Sequence, residues 1–445
     1  VTTPPLNVAD VVEQVRAGDL AAVVTRAHAW EPADLADVLS ALDDEERLAL
    51  VQLLPAELAS QALVEMPASE HAEETLAALP AHRAADIVDE LDDDDAADIL
   101  GEMDPEEAER ILSAVEDRRD VDRLLRYDEE TAGGRMTMHL IKVLTHETAG
   151  EALESIRRQA DEVEDFYRIF VVDGAGVLRG ILPLRELVVA KPGRPVAEIM
   201  LEPDVSVPPE MDQEAVARVL SRYNLASVPV VDSGGRLLGR VTFDDVIDVV
   251  EAESTEDILR FGGTSADENI GAGWRDAVRS RLPWLMLNLC TAFLAASVVY
   301  ANRDLIERMT TLAALMPVIA GMGGNAGTQA LAVTVRRIAL GMVPRGTARR
   351  VVGKEALVGL SNGLAIGTLV ALVSLLLGQG AMLGLAVFLA MTGNLLVAGV
   401  VGAFVPVLLE RRGVDPAIAS SIFVTTFTDI CGFFFLLWLA DRLLL

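Results

Sequence analysis

Asp429 lies in Thr425-Thr426-Phe427-Thr428-Asp429-Ile430-Cys431-Gly432, within an apolar stretch long enough to cross a bilayer. A carboxylate at bilayer depth costs about 2.5–3.5 kcal/mol, so it needs a partner. It is the only acidic residue deep inside any apolar stretch, and no Lys or Arg lies at comparable depth. A cation is the natural partner; a protonated Asp bonded to a neighbouring helix is the plainer alternative. The adjacent threonines offer neutral oxygens. Asn288, Asn325, Asn362 and Asn394 place one amide in each of the other apolar stretches, where such groups more often join helices than bind ligands. All-oxygen surroundings suit hard cations, Mg²⁺ or Ca²⁺, and argue against soft metals. Mg²⁺ gives up water reluctantly, so one carboxylate per chain, doubled in a symmetric dimer, fits a largely hydrated ion.

Two further sets of carboxylates stand outside the apolar stretches. The run Asp92-Asp93-Asp94-Asp95 crowds one helix start, beyond what capping and the helix dipole call for. Residues 244–261 read as a helix carrying Asp244, Asp245, Asp248, Glu251, Glu253, Glu256 and Asp257. Asp245 and Asp248 share a face three residues apart, and Glu253 and Asp257 do so four apart. Like charges at these spacings destabilise an isolated helix unless something neutralises them. A solvated face would explain them blandly; their place on the only covalent route between the two halves of the chain favours function.

The elements that position these residues differ sharply between the halves. Of the 445 residues, 1–270 hold 23 Lys+Arg and 60 Asp+Glu, a net of −37, whereas 271–445 hold 14 and 8, a net of +6. The acidic half repels nucleic acid and anionic membrane surfaces and attracts cations. Five stretches reach the roughly 20 apolar residues that a spanning helix needs. They lie near 282–301, 309–341, 353–378, 382–409 and 417–440. The second is over-long and holds Gly321, Gly323, Gly324 and Gly327, which predicts a bent or locally opened helix approached closely by something else. Basic residues concentrate before the first stretch (Arg275, Arg279, Arg281), between the second and third (Arg336, Arg337, Arg345, Arg349, Arg350, Lys354) and between the fourth and fifth (Arg411, Arg412). This predicts a multi-pass protein of the cell (inner) membrane with a cytosolic N-terminus and an outer C-terminus. An odd number of crossings disfavours two equal inverted repeats in one chain, so a central path is more easily made between two copies. Residues 1–10 lack a basic segment leading into an apolar one, so no cleaved leader is expected. Cys290 and Cys431 suggest neither a disulfide framework nor a zinc site.

Two internal repeats organise the acidic half. Leu42-Asp43, Leu54-Pro55, Met66-Pro67, Leu79-Pro80, Leu91-Asp92 and Met103-Asp104 recur every 12 or 13 residues. Each unit reads as a short helix and a turn, and stacked units give an all-α superhelix of undetermined hand. The second repeat aligns residues 171–180 with 230–239, and Met136 with Met200. The first copy has the longer loop, around Asp161 to Asp165. Each copy reads strand, helix, strand, glycine turn, strand, helix, and the pair resembles tandem CBS (cystathionine-β-synthase-type) modules. That resemblance implies a regulatory platform of a kind that binds adenine nucleotides and dimerises. The position of a stacking aromatic in some such modules is Arg168 here, which counts against a nucleotide.

In order and along nearly its whole length, the chain resembles the MgtE family of magnesium transporters and channels. The expected layout is a helical N-domain (1–130), a CBS pair (131–250), a connecting plug helix (244–270) and a five-helix transmembrane domain (271–445). The motifs that carry the resemblance are Pro317-x3-Gly321-x-Gly323-Gly324-Asn325-x-Gly327-x-Gln329, Asp415-Pro416 leading to Thr428-Asp429-x-x-Gly432, and Asp244-Asp245-Val246-Ile247-Asp248 running to Asp257. The resemblance implies a homodimeric Mg²⁺ channel with Asp429 at the ion in the pore. It further implies cytosolic Mg²⁺ sites drawing on Asp95, Asp212, Glu214, Asp245, Asp248, Glu253, Asp257 and Asp415 that close the channel. An acidic position of the family is Asn224 here, which weakens one such site. The rival readings are a CBS-regulated transporter of another divalent cation or solute and a membrane-anchored nucleotide sensor. An enzyme is not expected: Gly323-Gly324-Asn325 lacks the Lys-Ser/Thr of a phosphate loop, and no nucleophile constellation occurs among five histidines.

Overall fold

The computed structural model describes residues 7–67, 71–160, 163, 168–265, 273–343, 346–418 and 421–444. It divides into two compact units, Val1–Ala252 and Glu253–Leu445. Arg345 and most of the loop from Asp161 to Asp165 lie outside the described residues.

The first unit opens with short helices from Val8–Arg16 to Pro105–Leu112. At five of the six repeats the Asp or Pro stands at the N-cap position of the next helix: Asp43, Pro55, Pro80, Asp92 and Asp104. Asp43 makes a capping box, accepting from the Glu46 N–H at 2.9 Å while the Glu46 carboxylate accepts from the Asp43 N–H at 3.3 Å. After Met66-Pro67 the next helix opens at Ala72. The apolar residue before the cap turns inward, with Leu42, Leu54, Leu79 and Met103 all buried. Alternate helices stack, Pro32–Ser40 on Ala56–Val64 on Ala81–Val88 on Pro105–Leu112, which is the layering of a superhelix.

The paired modules follow. Strands β1 (Lys142–Leu144), β2 (Ile169–Val172) and β3 (Leu178–Leu182) form one sheet, β1 parallel and β3 antiparallel to β2. Strands β4 (Ser227–Val231) and β5 (Leu237–Thr242) form the second, antiparallel. Both hairpins shift register at equivalent places, Val171/Val172 and Val230/Val231. Both turn on an Asp whose carboxylate accepts two backbone N–H groups, Asp173 from Ala175 and Val177 and Asp232 from Gly234 and Arg236. The opening strand expected in the second copy is reduced to a single bridge, Val207 to Val230. Pro203, Pro208 and Pro209 surround it, and prolines cannot donate to a ladder. The two copies also exchange their leading segments. A Cβ on Gly180 would meet Leu201 O at 2.7 Å and Met200 Sδ at 2.9 Å; one on Gly239 would meet Thr137 O at 2.6 Å and Met136 Sδ at 2.9 Å. The second module shares a continuous core with the superhelix, through Met136, Val216, Leu220 and Val241, while the first keeps its own around Ile141, Val171 and Leu182.

Helix Phe243–Gly262 leads out of the first unit. The second unit holds five long helices, Trp274–Ala301, Thr311–Ala339, Ala348–Leu376, Ala381–Arg411 and Ser421–Leu444, with a short Arg303–Arg308 after the first. Four are long and apolar enough to cross a membrane; Thr311–Ala339 is not among them. Its glycines, Asn325 and Gln329 lower its apolarity, so the expected count of five spans is met in helices and not in apolar composition. The helix does not open there: it runs unbroken through Pro317 and the glycines. The glycines serve close approach instead, since a Cβ on Gly327 would sit 2.3 Å from Val424 Cγ1. Between the third and fourth helices Gly359, Gly363 and Gly367 form a ladder in which each Cβ would lie 2.3–3.0 Å from the backbone of Leu395, Thr392 or Phe388. Such small residues let membrane helices touch backbone to backbone.

Candidate cation sites

Asp429 stands eight residues beyond Ser421, about 12 Å along the last helix at 1.5 Å per residue. It is half-buried and lines a cavity of about 690 Å³ with Ala292, Ala295 and Val299 of the first helix and Phe433 of its own. Tyr300, Arg303 and Glu307 also line it. Arg303 accompanies Tyr300, donating to its hydroxyl at 2.9 Å. Among the described residues no hydrogen bond or ion pair to the Asp429 carboxylate occurs. The neighbouring threonines do not add free hydroxyl protons: Thr425 and Thr426 donate to Ile422 O and Thr428 to Thr425 O. Thr428 is fully buried. Of the four amides, Asn288, Asn325 and Asn362 are exposed, whereas Asn394 is fully buried. Gly321, Asn325 and Gln329, four residues apart, form an exposed polar stripe along the second helix.

The acidic run makes the second site, inside the first unit. Asp93 is buried and satisfied: it accepts from Thr137 Oγ1 at 2.6 Å and the Met138 N–H at 2.9 Å. Asp92 lies 3.3 Å from His139 Nδ1, which draws the Asp92 carboxyl down and lifts the imidazole. Asp94 is 9% exposed, and its Oδ1 is buried without a hydrogen-bond partner. Burial, with the charges of Asp245 and Asp95 next, pushes its carboxyl well up. Burial first, then the charges of Asp245 and Asp92, hold Asp95 at about 7. Asp98 is held at about 6 by burial, opposed by Arg135, with which it pairs. Asp245, at the start of Phe243–Gly262, is raised by burial in spite of its bonds from Thr242. Ligand atoms of Asp92, Asp94 and Asp95 lie within 4.8 Å of one another. Three converging carboxylates with one orphaned oxygen could hold a hard divalent cation. A neighbouring group, His71, Glu73 and Glu74, has the same closeness, and Glu102 is held at about 7 by desolvation and by the charges of Glu73 and Glu129.

The 40% identity with the magnesium transporter MgtE of Thermus thermophilus runs over 334 residues, 74% of this chain and 73% of that protein. The chain belongs to the MgtE magnesium transporter family. The family's N-domain profile (MgtE intracellular N domain) matches residues 30–130, CBS profiles match 133–193 and 196–252, and the profile described as divalent cation transporter matches 316–439. The MgtE of Enterococcus faecalis is 35% identical over 71% of this chain and 69% of its own. A crystal structure of the cytosolic domain of the Mg²⁺ channel MgtE in complex with ATP superposes with a TM-score of 0.51 at 39% identity, covering 54% of this chain and 99% of that one. These relatives are transporters, and the chain is a multi-pass membrane protein with an MgtE N-domain and a CBS pair.

Within that MgtE frame, the structure brings Asp95 and Asp245 together. It adds Asp94, Asp98 and Asp244, which spacing alone did not single out; the run of aspartates was visible, but not which of them faces inward. Asp212 instead caps helix Gln213–Tyr223, accepting from the Ala215 N–H at 3.1 Å, and Glu214 pairs with Arg218 at 2.7 Å. Neither is among the charges that dominate at Asp94 and Asp95. Asp248, Glu253 and Asp257 share helix Phe243–Gly262. Asp415 accepts from the Ala417 N–H and pairs with Arg260, which also pairs with Glu256.

Proposed function

We propose that the chain is an Mg²⁺-selective influx channel of the cell (inner) membrane, gated by cytosolic Mg²⁺ for magnesium homeostasis. The observation that carries the reading is Asp429, a carboxylate without a protein partner among the described residues inside an apolar helix, beside a cavity. Its cost in a bilayer falls away when a cation passes it. The uncovered stripe of Gly321, Asn325 and Gln329 supports a path between two copies. Amides facing lipid would be unfavourable, whereas amides facing a second protomer across water suit a hydrated ion. Loop charge supports a cytosolic N-terminus and an outer C-terminus.

Gating rests on the acidic cluster. With Asp94, Asp95 and Asp245 charged and bare, the N-domain and the second CBS module repel each other. Divalent cations bridging these carboxylates, together with Asp98, Asp248, Glu253 and Asp257, favour the docked arrangement and the closed pore. Asp212, Glu214 and Asp415 contribute weaker positions, already satisfied by a cap, by Arg218 and by Arg260. Several weak sites can together supply the roughly 5.5 kcal/mol that swings a two-state element from 1:99 to 99:1. The ATP-bound relative supports an adenine nucleotide at the CBS pair. Arg168, with its Nη1 buried and unpaired, would there meet phosphate charge in place of stacking a base.

The test is flux into liposomes holding the full chain, with Mg²⁺, Mn²⁺ and Ca²⁺ compared. Asp429→Ala is expected to abolish Mg²⁺ flux; near-parental flux in that variant overturns the pore assignment. Equal flux of all three ions would favour the alternative, a general divalent-cation transporter.

A further inference from the structure

Asn394 is fully buried in the helix Ala381–Arg411, yet it carries an amide where an apolar side chain would be cheaper. Its Nδ2 donates to Ile319 O of the second helix at 3.0 Å. Its Oδ1 is buried with no hydrogen-bond partner among the described residues, an omission worth about 1–3 kcal/mol. Two motif glycines are spent on making room for it. A Cβ on Gly323 would lie 2.3 Å from Asn394 Nδ2, and one on Gly432 would lie 2.7 Å from the same atom. The Gly323 position would also touch Thr428 Cβ at 3.1 Å, and the Gly432 position Ile319 Cγ2 at 3.0 Å. Three membrane helices therefore meet at one amide. The last of them is gripped at Thr428 and Gly432, the residues that bracket Asp429 by one position and by one helical turn.

We propose that Asn394 is a positioning residue for Asp429: its amide, seated between Gly323 and Gly432, sets the spacing of the second and last membrane helices and so holds the carboxylate at the ion path. This rests on the reading of Asp429 as the pore carboxylate. It explains why the motifs Gly321-x-Gly323 and Asp429-x-x-Gly432 each end on a residue without a side chain. It also explains why an amide with an unpaired oxygen is kept. A leucine of similar branching would remove the orphan and also the only bond that ties the fourth helix to Ile319 among the hydrogen bonds described.

The test is a cycle in the full-length protein in liposomes, with Mg²⁺ and Ca²⁺ flux measured per folded protein. Gly432→Ala alone is expected to lower Mg²⁺ flux and the Mg²⁺ to Ca²⁺ ratio by about tenfold, and Gly432→Ala added to Asn394→Ala to cost much less than it does alone, because neighbours that share one space are non-additive. Asn394→Leu keeps the count and branching of the heavy atoms in a somewhat larger side chain; per folded protein it is expected to lower the ratio, which a purely structural role would leave alone. Additive losses in the cycle, or a parental ratio in Asn394→Leu, overturn the proposal while Asp429→Asn remains inactive. Parental flux in Asp429→Asn instead overturns the pore reading, and the positioning role with it.

Discussion

Replacing Asp95 by Asn should do without metal what a divalent cation does with it. The Asp95 carboxyl is held at about 7 in place of its ordinary 3.8, chiefly by burial and by Asp245. That difference makes its charged form unfavourable by about 4 kcal/mol in the docked arrangement, at 1.36 kcal/mol per pK unit. Solvent screening at a partly exposed group leaves about half, some 2 kcal/mol. The sign follows from linkage. Between the ordinary value and about 7, the docked form takes up a proton that the open form does not. Docking therefore strengthens as pH falls through 7 towards 4 and weakens as pH rises through 7. Asn keeps the shape and removes the charge, so at about pH 8 in chelator Asp95→Asn should close the first unit by about 30-fold in the opening equilibrium, at 1.4 kcal/mol per tenfold. The assay is limited proteolysis of the full chain in detergent between about pH 5.5 and pH 8, with and without millimolar Mg²⁺. The parent should be cut faster at high pH without Mg²⁺, and both Mg²⁺ and Asp95→Asn should flatten that dependence. Cleavage of the metal-free parent that ignores pH, or Asp95→Asn cut as fast as the parent at the upper pH, would refute the reasoning.

Three other outcomes follow from single contacts. Thr137→Val removes the hydroxyl bonded to buried Asp93 at 2.6 Å and should lower unfolding stability by about 1.5–3 kcal/mol in a denaturant titration. Arg135→Ala strips Asp98 of its guanidinium, so that carboxyl should rise above its present 6; the variant should melt lower than the parent at high pH, with the gap narrowing as pH falls through 6. Gly363→Leu should separate the third and fourth membrane helices, because even a Cβ would lie 2.8 Å from Thr392 Cα. Gly353→Ala, with open space at its Cβ, should leave the detergent melting curve within about 0.5 kcal/mol of the parent.

The repeat of Leu42-Asp43 through Met103-Asp104 was legible because an N-cap is a local event. Pro and Asp favour the extended backbone at a helix start, and five of the six marks stand at N-cap positions. The apolar stretches were legible because spanning a bilayer depends on length and composition. The same dependence explains why Thr311–Ala339, the second of the five long helices, falls short in apolar composition: it carries the polar stripe that lowers its apolarity. The modules were legible from matched segments, and the structure added register shifts at equivalent residues in both hairpins.

What the sequence by itself determined, then, was the kind and order of elements, the halves of opposite charge and the existence of Asp429. Tertiary structure alone decided which groups meet. Nothing local distinguishes Asp94 from Asp95; only the partner surface carrying Thr137, Met138 and Asp245 leaves one of the four aspartates with a buried, unpaired oxygen. Nothing local distinguishes Asn394 from Asn362 either, since each lies in a helix apolar nearly all round, where periodicity has no contrasting face to report. The exchange of leading segments between the modules, Met136 against Gly239 and Met200 against Gly180, was equally hidden. A repeat offset records that two segments are alike, and only the path of the chain between them settles which copy each one packs against.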